Sequence, residues 1–353
     1  MTNPNFSLLC AIVPWVVFSV VLMGLPAILA SNSSIIIMTQ MAITIIFALS
    51  YNMLLGQAGM LSFGHAVYMG VGGFAAVRVM NGALGGAVPL SILPLFGGLF
   101  SLGIATVIGG FSTRRGGTSF AMISLGVVEL VASFSIIIVA FFRSGGMLWD
   151  RTSGPKVLGL EFAQHIEVYY LVAVWLIVSV AAMYLFTRTP MGRLANAVRD
   201  NPERVEFIGY SARWVRFYSF CAAGFFAGVA GALSAIAFEI ASAENLTVQA
   251  SGTILLVTFL GGVGVFYGPI VGAVVFTFLQ TVLSQQIELW ELYVGALFVA
   301  TVMFFPGGLA GVMLMHVVPL RLGKMGGLIG PYLRVLVPAI IGVMGCVGFA
   351  EMF

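Results

Sequence analysis

The chain has 353 residues, of which 60% are hydrophobic and only 8% are charged, and its mean hydropathy is +1.10. This composition excludes a water-soluble globular protein, because most of the chain cannot form a polar surface. The apolar runs are continuous and about 20 residues long, which favours helices over a membrane β-barrel, whose strands alternate over about ten residues. The sequence therefore predicts an all-α, polytopic bundle that forms a single transmembrane domain over residues 1–353, and we expect no nucleic-acid partner.

Eleven apolar segments of low charge predict about 9–11 membrane segments, some of them broken or re-entrant helices. The segments are 8–30, 35–55, 65–77, 88–111, 118–142, 168–187, 217–238, 248–265, 269–284, 292–305 and 335–349. A straight helix needs about 20 residues to cross a core of about 30 Å, so 65–77, 292–305 and 335–349 are too short to cross alone. The first segment is uncharged and has no cleavage motif, which indicates a retained span rather than a signal peptide.

The basic residues are distributed unevenly between the two sides of the membrane. When the connections are numbered alternately, eleven of the 15 Lys and Arg residues fall on one side and four on the other. The positive-inside rule makes the richer side cytoplasmic, which places the N-terminus inside and the C-terminus outside. Two connections are long: residues 143–167 on the outer side and residues 188–216 on the cytoplasmic side.

The stretch GQAGMLSFGHA at 56–66 is rich in glycine and polar residues within an apolar surrounding. Gly56, Gly59 and Gly64 permit the helix to break, and the freed backbone groups then need hydrogen-bond partners. The expected partners are polar side chains of the same stretch: Gln57, Ser62 and His65. Such a break survives in a bilayer only where it is buried in protein or lines a cavity. The stretch is therefore either a re-entrant turn beside a substrate path or a site of close helix packing through small residues.

A second group of glycines predicts a second broken turn, on the same cytoplasmic side as the first. Its members are Gly261, Gly262, Gly264 and Gly268, followed by Pro269.

Glu129 is the only charged residue in segment 118–142. At 1.5 Å per residue it lies about 18 Å from the cytoplasmic end, near the middle of the bilayer. Because an unpaired carboxylate is costly there, we expect Glu129 to face the bundle interior. Either it contacts a substrate ammonium in the translocation cavity, or it makes a structural hydrogen bond to a neighbouring helix or a partner subunit. The predicted pathway residues are Gln57, Ser62, His65, Glu129, Gly261, Gly262 and Gly264.

The cytoplasmic connection 188–216 is predicted to contain two short capped helices. Thr189 can cap a helix that starts at Pro190, and Asn201 can end that helix and cap a second one that ends near Gly209. Acidic residues are interleaved among the arginines of this amphipathic hairpin, which favours docking to another protein. The alternative is a solvated loop whose arginines set the topology and contact anionic lipid.

Four stretches together carry a family resemblance. They are TPMGRLANAVRDNPERVEFIGYSARWVRFYSFCAAGFFAGVAGAL, LLGQAGMLSFGHAVYMGVGGFAAV, GTILLVTFLGGVGVFYGPIVGAVV and FFPGGLAGV, within about residues 40–312. They resemble segments of the LivM-like permease subunits of ATP-binding cassette importers of the branched-chain amino acid type. The departures are Val205 where the family usually has a small residue, Arg216 near its usual lysine, and Gly307 in place of an arginine.

The resemblance implies that the hairpin docks on a cytoplasmic ATPase and transmits its closure to the membrane helices. The docking residues that it implies are Gly192, Arg193, Arg199, Asp200, Asn201, Glu203 and Gly209. It further implies a homologous permease subunit, two cytoplasmic ATP-binding subunits, a periplasmic substrate-binding protein and a bacterial inner-membrane location. The outer connection is a candidate docking surface for the binding protein, through Trp149, Asp150, Arg151, Lys156, Glu161 and Glu167.

We expect the chain to be a transport subunit and not an enzyme. It contains no GxxxxGK[ST] motif, so ATP and Mg are expected in the partner ATPase subunits, with no cofactor or metal in this chain. The cargo is expected to be a small polar solute, with branched-chain or related amino acids the usual one in the family. The alternatives are a proton-coupled secondary transporter that uses Glu129, and a passive channel for a small solute such as urea.

Overall fold

The computed structural model describes residues 4–29, 31–82, 88–142, 147–148, 162–286, 289–305 and 307–321. The helices are α1 (Pro4–Ile28), α2 (Asn32–Asn52), α3 (Ala66–Asn81), α4 (Leu93–Ser112), α5 (Thr118–Phe142), α6 (His165–Arg188), α7 (Pro190–Asp200), α8 (Pro202–Phe207), α9 (Ala212–Phe238), α10 (Val248–Gly261), α11 (Gly268–Gln286), α12 (Trp290–Phe304) and α13 (Gly308–Arg321). A π-helical turn (Met53–Gln57) extends α2, and a 3-10 turn (Ala243–Leu246) precedes α10. The strands β1 (Met147–Leu148) and β2 (Ile240–Ala241) form one antiparallel pair. The predicted all-α bundle is confirmed.

Six helices within the described residues are long and apolar enough to cross a membrane. They are α4, α5, α6, α9, α11 and α2 with its π-turn. The helices α12 and α13 together reach the length of a span but are bent by 48° at the break between them. Each predicted segment contains a helix, except 335–349, which lies outside the described residues. The chain is therefore a multi-pass membrane protein.

Two short helices and one unpredicted helix differ from a simple series of spans. The helices α3 and α10 have only 16 and 14 residues, so neither can cross the bilayer alone. The helix α13 occupies a region that the sequence assigned to a cytoplasmic connection. With 14 residues, it is too short to cross the membrane alone.

The helix α9 lies at the centre of the bundle. It is the most deeply buried of the six long apolar helices. Its neighbours α3 and α4 approach it closely through glycines. A Cβ at Gly72 would collide with the backbone of Gly228, and a Cβ at Gly231 would collide with the carbonyl of Met69. Small residues thus bring these three helices into backbone contact, which is how helices associate where there is no water to drive burial.

Connections that the charge pattern assigned to the same side lie together. At one end, Gly116 after α4 lies against the guanidinium of Arg216 at the start of α9. At the other end, β1 from the 143–167 connection pairs with β2 after α9. The two long connections therefore belong to opposite ends of the bundle.

Candidate functional site

The first break, which we define as residues 53–65, joins α2 to α3. The helix α2 and the π-turn that ends it form a continuous 26-residue span, and α3 starts at Ala66. The stretch is thus the end of a full span and not an interruption in the middle of one. Its second half returns into the protein, since Ser62 and His65 are both buried. π-Turns of this kind are frequent at functional sites.

Side-chain hydroxyl groups from three helices form hydrogen bonds with the backbone of the first break and of Ala66, which directly follows it. The hydroxyl of Ser124 accepts a hydrogen bond from the Phe63 N–H at 3.0 Å, and the hydroxyl of Ser251 accepts one from the Ala66 N–H at 3.0 Å. The Tyr51 hydroxyl donates to the Ser62 carbonyl at 3.0 Å. The break is therefore held by hydroxyl groups from α2, α5 and α10, which the sequence analysis did not identify.

The three polar side chains expected to satisfy the break behave differently from one another. The Ser62 hydroxyl does accept a backbone hydrogen bond, from the Gly64 N–H at 3.3 Å. The side-chain oxygen of Gln57 is buried and has no hydrogen-bond partner among the described residues. His65 bonds a side chain instead of the backbone, at 2.9 Å from the Ser50 hydroxyl. Of the three, only Ser62 therefore acts as expected.

His65 is fully enclosed by aromatic rings. It stacks on Phe47 with ring centroids 5.5 Å apart, and it makes edge-to-face contacts with Tyr51 and Tyr68, whose ring centroids lie 5.2 and 6.0 Å from its own. Because the Ser50 hydroxyl donates to the Phe47 carbonyl at 2.7 Å, Nε2 of His65 is the donor to Ser50. This side chain orders the turn and does not face open space.

The second break, residues 262–267, separates α10 from α11. Gly262 has a φ of +113°, a conformation that favours glycine, and a Cβ there would collide with the carbonyl of Gly307 at the α12–α13 break. Gly261 lies against Gly268 in the same tight manner, while Gly264 is exposed. The predicted glycines thus serve close backbone approach at a turn.

The two breaks touch each other. A Cβ on Gly56 in the first break would lie 2.6 Å from the carbonyl oxygen of Val263 in the second. The sequence placed both turns on one side of the membrane, and the structure brings them into direct contact.

The hairpin formed by α7 and α8, residues 190–207, has the predicted caps. The Thr189 hydroxyl accepts from the Gly192 N–H at 3.2 Å, and the Asn201 side chain accepts from the Arg204 N–H at 3.1 Å. Gly209 follows α8 with a φ of +89°. The local sequence therefore fixes the shape of this hairpin.

The 190–207 hairpin contacts the first break, and the end of α6 directly before it contacts the second break. The Arg199 guanidinium donates to the Gly56 carbonyl in the first break. Just before α7, the Tyr184 ring packs on Phe266 and Tyr267 of the second break, at 5.4 and 6.3 Å between centroids. Burial, with Tyr184 as a further cause, raises the pKa of Tyr267 above its usual value. Movement of the hairpin thus has a direct route to the ends of the spanning helices.

The implied docking residues divide into three groups. Arg193, Asp200 and Glu203 are exposed. Gly192, Asn201 and Gly209 are needed for the shape of the hairpin: Gly192 is buried against the backbone of Phe186 and Thr187, and the other two cap and end α8. Arg199 points back toward the bundle.

The most exposed apolar side chains of this region were not predicted from the sequence. Phe207 at the end of α8 is 88% exposed, and Ile208 is 68% exposed. Two apolar residues follow shortly after α8's last buried position, Val205, and this sequence pattern could have indicated an exposed apolar tip.

The expectation that Glu129 faces the bundle interior is wrong for this chain. Glu129 is exposed on the outer face of α5, in a stripe with Met122, Gly126, Ser133 and Ile137. The helix α5 contacts the bundle mainly through its other faces, at positions such as Phe120 and Val128, which are buried. The depth of a residue can be estimated from sequence, but the direction in which it points depends on tertiary packing.

One small cavity lies beside the first break. A cavity lined by Ser62, Gly64 and Ser124 has a volume of about 10 Å³, roughly the space of one water molecule. A separate cavity of about 840 Å³ opens between α3, α4 and α5, and it is lined by apolar groups such as Phe74 and Phe134. None of the predicted pathway residues lines the larger cavity.

Most of the outer connection lies outside the described residues. Trp149, Asp150, Arg151, Lys156 and Glu161 fall in the part of the chain of which nothing is described. Glu167 lies in the first turn of α6, where a carboxylate favours the helix N-terminus.

These features define a polytopic helical membrane protein whose surface hairpin is joined to breaks at the ends of its spans. The family model described as "Branched-chain amino acid transport system / permease component" matches residues 33–305. The chain belongs to this family, and it is an ABC transporter permease subunit for small solutes. The resemblance seen in the sequence motifs is confirmed.

Curated relatives show the same relationship. The chain is 26% identical over 305 residues to the high-affinity branched-chain amino acid transport system permease proteins LivM of Salmonella typhimurium and Escherichia coli, which covers 80% of this chain and 71% of each relative. It is 25% identical over 227 residues to the ribose import permease protein RbsC of Haemophilus influenzae, which covers 59% of this chain and 67% of that protein. No solved structure shows significant similarity to the chain.

Proposed function

We propose that this chain is the membrane permease subunit of an importer in a bacterial inner membrane, with its N-terminus in the cytoplasm. It pairs with a homologous permease subunit, two cytoplasmic ATP-binding subunits, which supply ATP and Mg chemistry, and a periplasmic substrate-binding protein. The cargo is a small polar solute, and branched-chain amino acids are the first candidate because the relatives that cover most of the chain are named for them.

The observation that carries this proposal is the 190–207 hairpin. It is shaped by two caps, it contacts the first break through Arg199, and its tip presents the exposed Phe207 and Ile208. An apolar tip with a charged rim is typical of a surface that docks into a protein groove. Arg193, Asp200 and Glu203 are the proposed rim contacts to the ATPase.

Glu129 is proposed to line the solute path between this chain and the second permease subunit. A carboxylate exposed to lipid at mid-bilayer is costly, so its face of α5 needs a cover of protein or pathway water. The small and polar neighbours Gly126 and Ser133 on the same stripe favour such a cover over lipid.

The glycines and polar side chains of the two breaks are proposed as the moving parts. Closure of the ATPases pushes the hairpin. Arg199 transmits that movement to the first break, and Tyr184 transmits it to the second break. Alternation between outward-open and inward-open states follows from the change at these turns. The outer connection, with Glu167 at its end, is the proposed contact for the binding protein.

Uptake into vesicles tests this function. The permease is reconstituted with and without its ATPase subunits, and the uptake of radiolabelled L-leucine is measured with ribose as a competitor. ATP-dependent uptake that requires the ATPases supports the proposal, and competition by ribose would change the cargo class. Uptake driven by a pH gradient alone would indicate a proton-coupled transporter, and uptake with neither energy source would indicate a channel.

A further inference from the structure

We infer that Arg199 is the internal link between the 190–207 hairpin and the first break, and that its role is to position the break and not to contact the ATPase. The inference rests on the proposed function, since it identifies the residue through which the hairpin acts. It also separates two arginines on α7 that sequence reasoning placed together: both are exposed, but Arg199 donates a hydrogen bond to the first break, and Arg193 makes no such bond among the described residues.

Arg199 contacts the first break at two points. Its guanidinium donates to the Gly56 carbonyl, in a bond that joins residues 143 positions apart in the chain. Its aliphatic part crosses Gly59, where an added Cβ would lie 2.7 Å from Cγ of Arg199. Gly59 also has a φ of +67°, so both its backbone conformation and the space above it require glycine.

The shape of the guanidinium suits this double role. While one terminal nitrogen donates to Gly56, the other nitrogens contact the Asp200 carboxylate at 3.1 and 3.0 Å. A charge-assisted bond to a carbonyl is stronger than a neutral one, and the planar fork of arginine serves two acceptors at once. A lysine ammonium keeps the charge but is a point donor, so Arg199→Lys weakens the link with little change in charge.

Gly56, which accepts the bond from Arg199, lies at the end of a span and close to the second break. Gly56 lies against Val263 of the second break and against the side chain of Asn52. Gly56 belongs to the first break and contacts the second. Displacement of its carbonyl by Arg199 therefore affects both breaks.

The first experiment measures hydrogen–deuterium exchange in the assembled transporter, with and without a non-hydrolysable ATP analogue. In the native complex, the analogue is expected to change exchange in both the hairpin and residues 53–65. In Arg199→Lys, the hairpin should still respond while the response of residues 53–65 is lost. Arg204→Lys is the matched control, because it is the same substitution on an exposed residue of the same hairpin, and it should leave both responses intact.

One result would overturn the inference: an unchanged response of residues 53–65 to the nucleotide in Arg199→Lys. Failure of the proposed function has a different signature, since the hairpin of the native complex would then show no response to the nucleotide at all.

Discussion

Replacing Ser124 or Ser251 by alanine is expected to loosen the first break at one defined amide each. Ser124→Ala removes the acceptor of the Phe63 N–H, and Ser251→Ala removes the acceptor of the Ala66 N–H, both at 3.0 Å. A buried donor left unpaired costs about 1–3 kcal/mol, which corresponds to roughly 5- to 150-fold faster amide exchange. Ala66 is fully buried while Phe63 is only partly buried, so the larger effect is expected from Ser251→Ala.

The assay is hydrogen–deuterium exchange of the purified permease, resolved to single amides. Ser135→Ala is the matched control for Ser124→Ala, because the Ser135 hydroxyl is buried in the same helix but bonds the carbonyl of Ala132 within that helix. Its loss leaves no amide of the break unpaired. Equal exchange at Phe63 in the Ser124→Ala and Ser135→Ala proteins would refute the assignment of Ser124 as the support of this turn.

Three further variants test other parts of the structure. Asn201→Ala removes the cap of α8 and should destabilise that helix by about 1 kcal/mol. The expected result is faster amide exchange in α8 and an unchanged exchange rate in α7. Glu129→Gln should raise the half-saturation concentration for uptake about 10- to 100-fold if the carboxylate contacts a substrate ammonium, and unchanged kinetics would leave it a packing role. Gly231→Ala should destabilise the bundle by about 1–3 kcal/mol because its Cβ meets the Met69 carbonyl, whereas Gly252→Ala, in open space, should not lower the thermal midpoint.

The parts of the fold that depend on neighbouring residues in the chain could be predicted from the sequence. The caps at Thr189 and Asn201 act over three residues, so the pattern alone defined the hairpin and its limits. The spans followed from the length and apolarity of their segments. The helix α13 was not predicted from the sequence, which placed its residues in a cytoplasmic connection.

The parts that depend on tertiary contacts could not be predicted. The bond from Arg199 to Gly56 joins residues 143 positions apart, and that from Ala66 to Ser251 joins residues 185 positions apart. No local pattern indicates which serine will meet a freed amide. The same limit explains Glu129: its depth followed from the helix rise, but its direction depends on how α5 packs.

The central claim is that the 190–207 hairpin docks on a separate ATPase subunit, and a photo-crosslinker at position 207 tests it most directly. Phe207 is 88% exposed at the tip, so a crosslinking side chain there is tolerated without a change in the fold. Irradiation of intact membranes that contain the assembled transporter, followed by mass spectrometry of the adduct, identifies what lies against the tip. We predict a crosslink to an ATP-binding subunit, whereas adducts with lipid or with this chain alone would contradict the account.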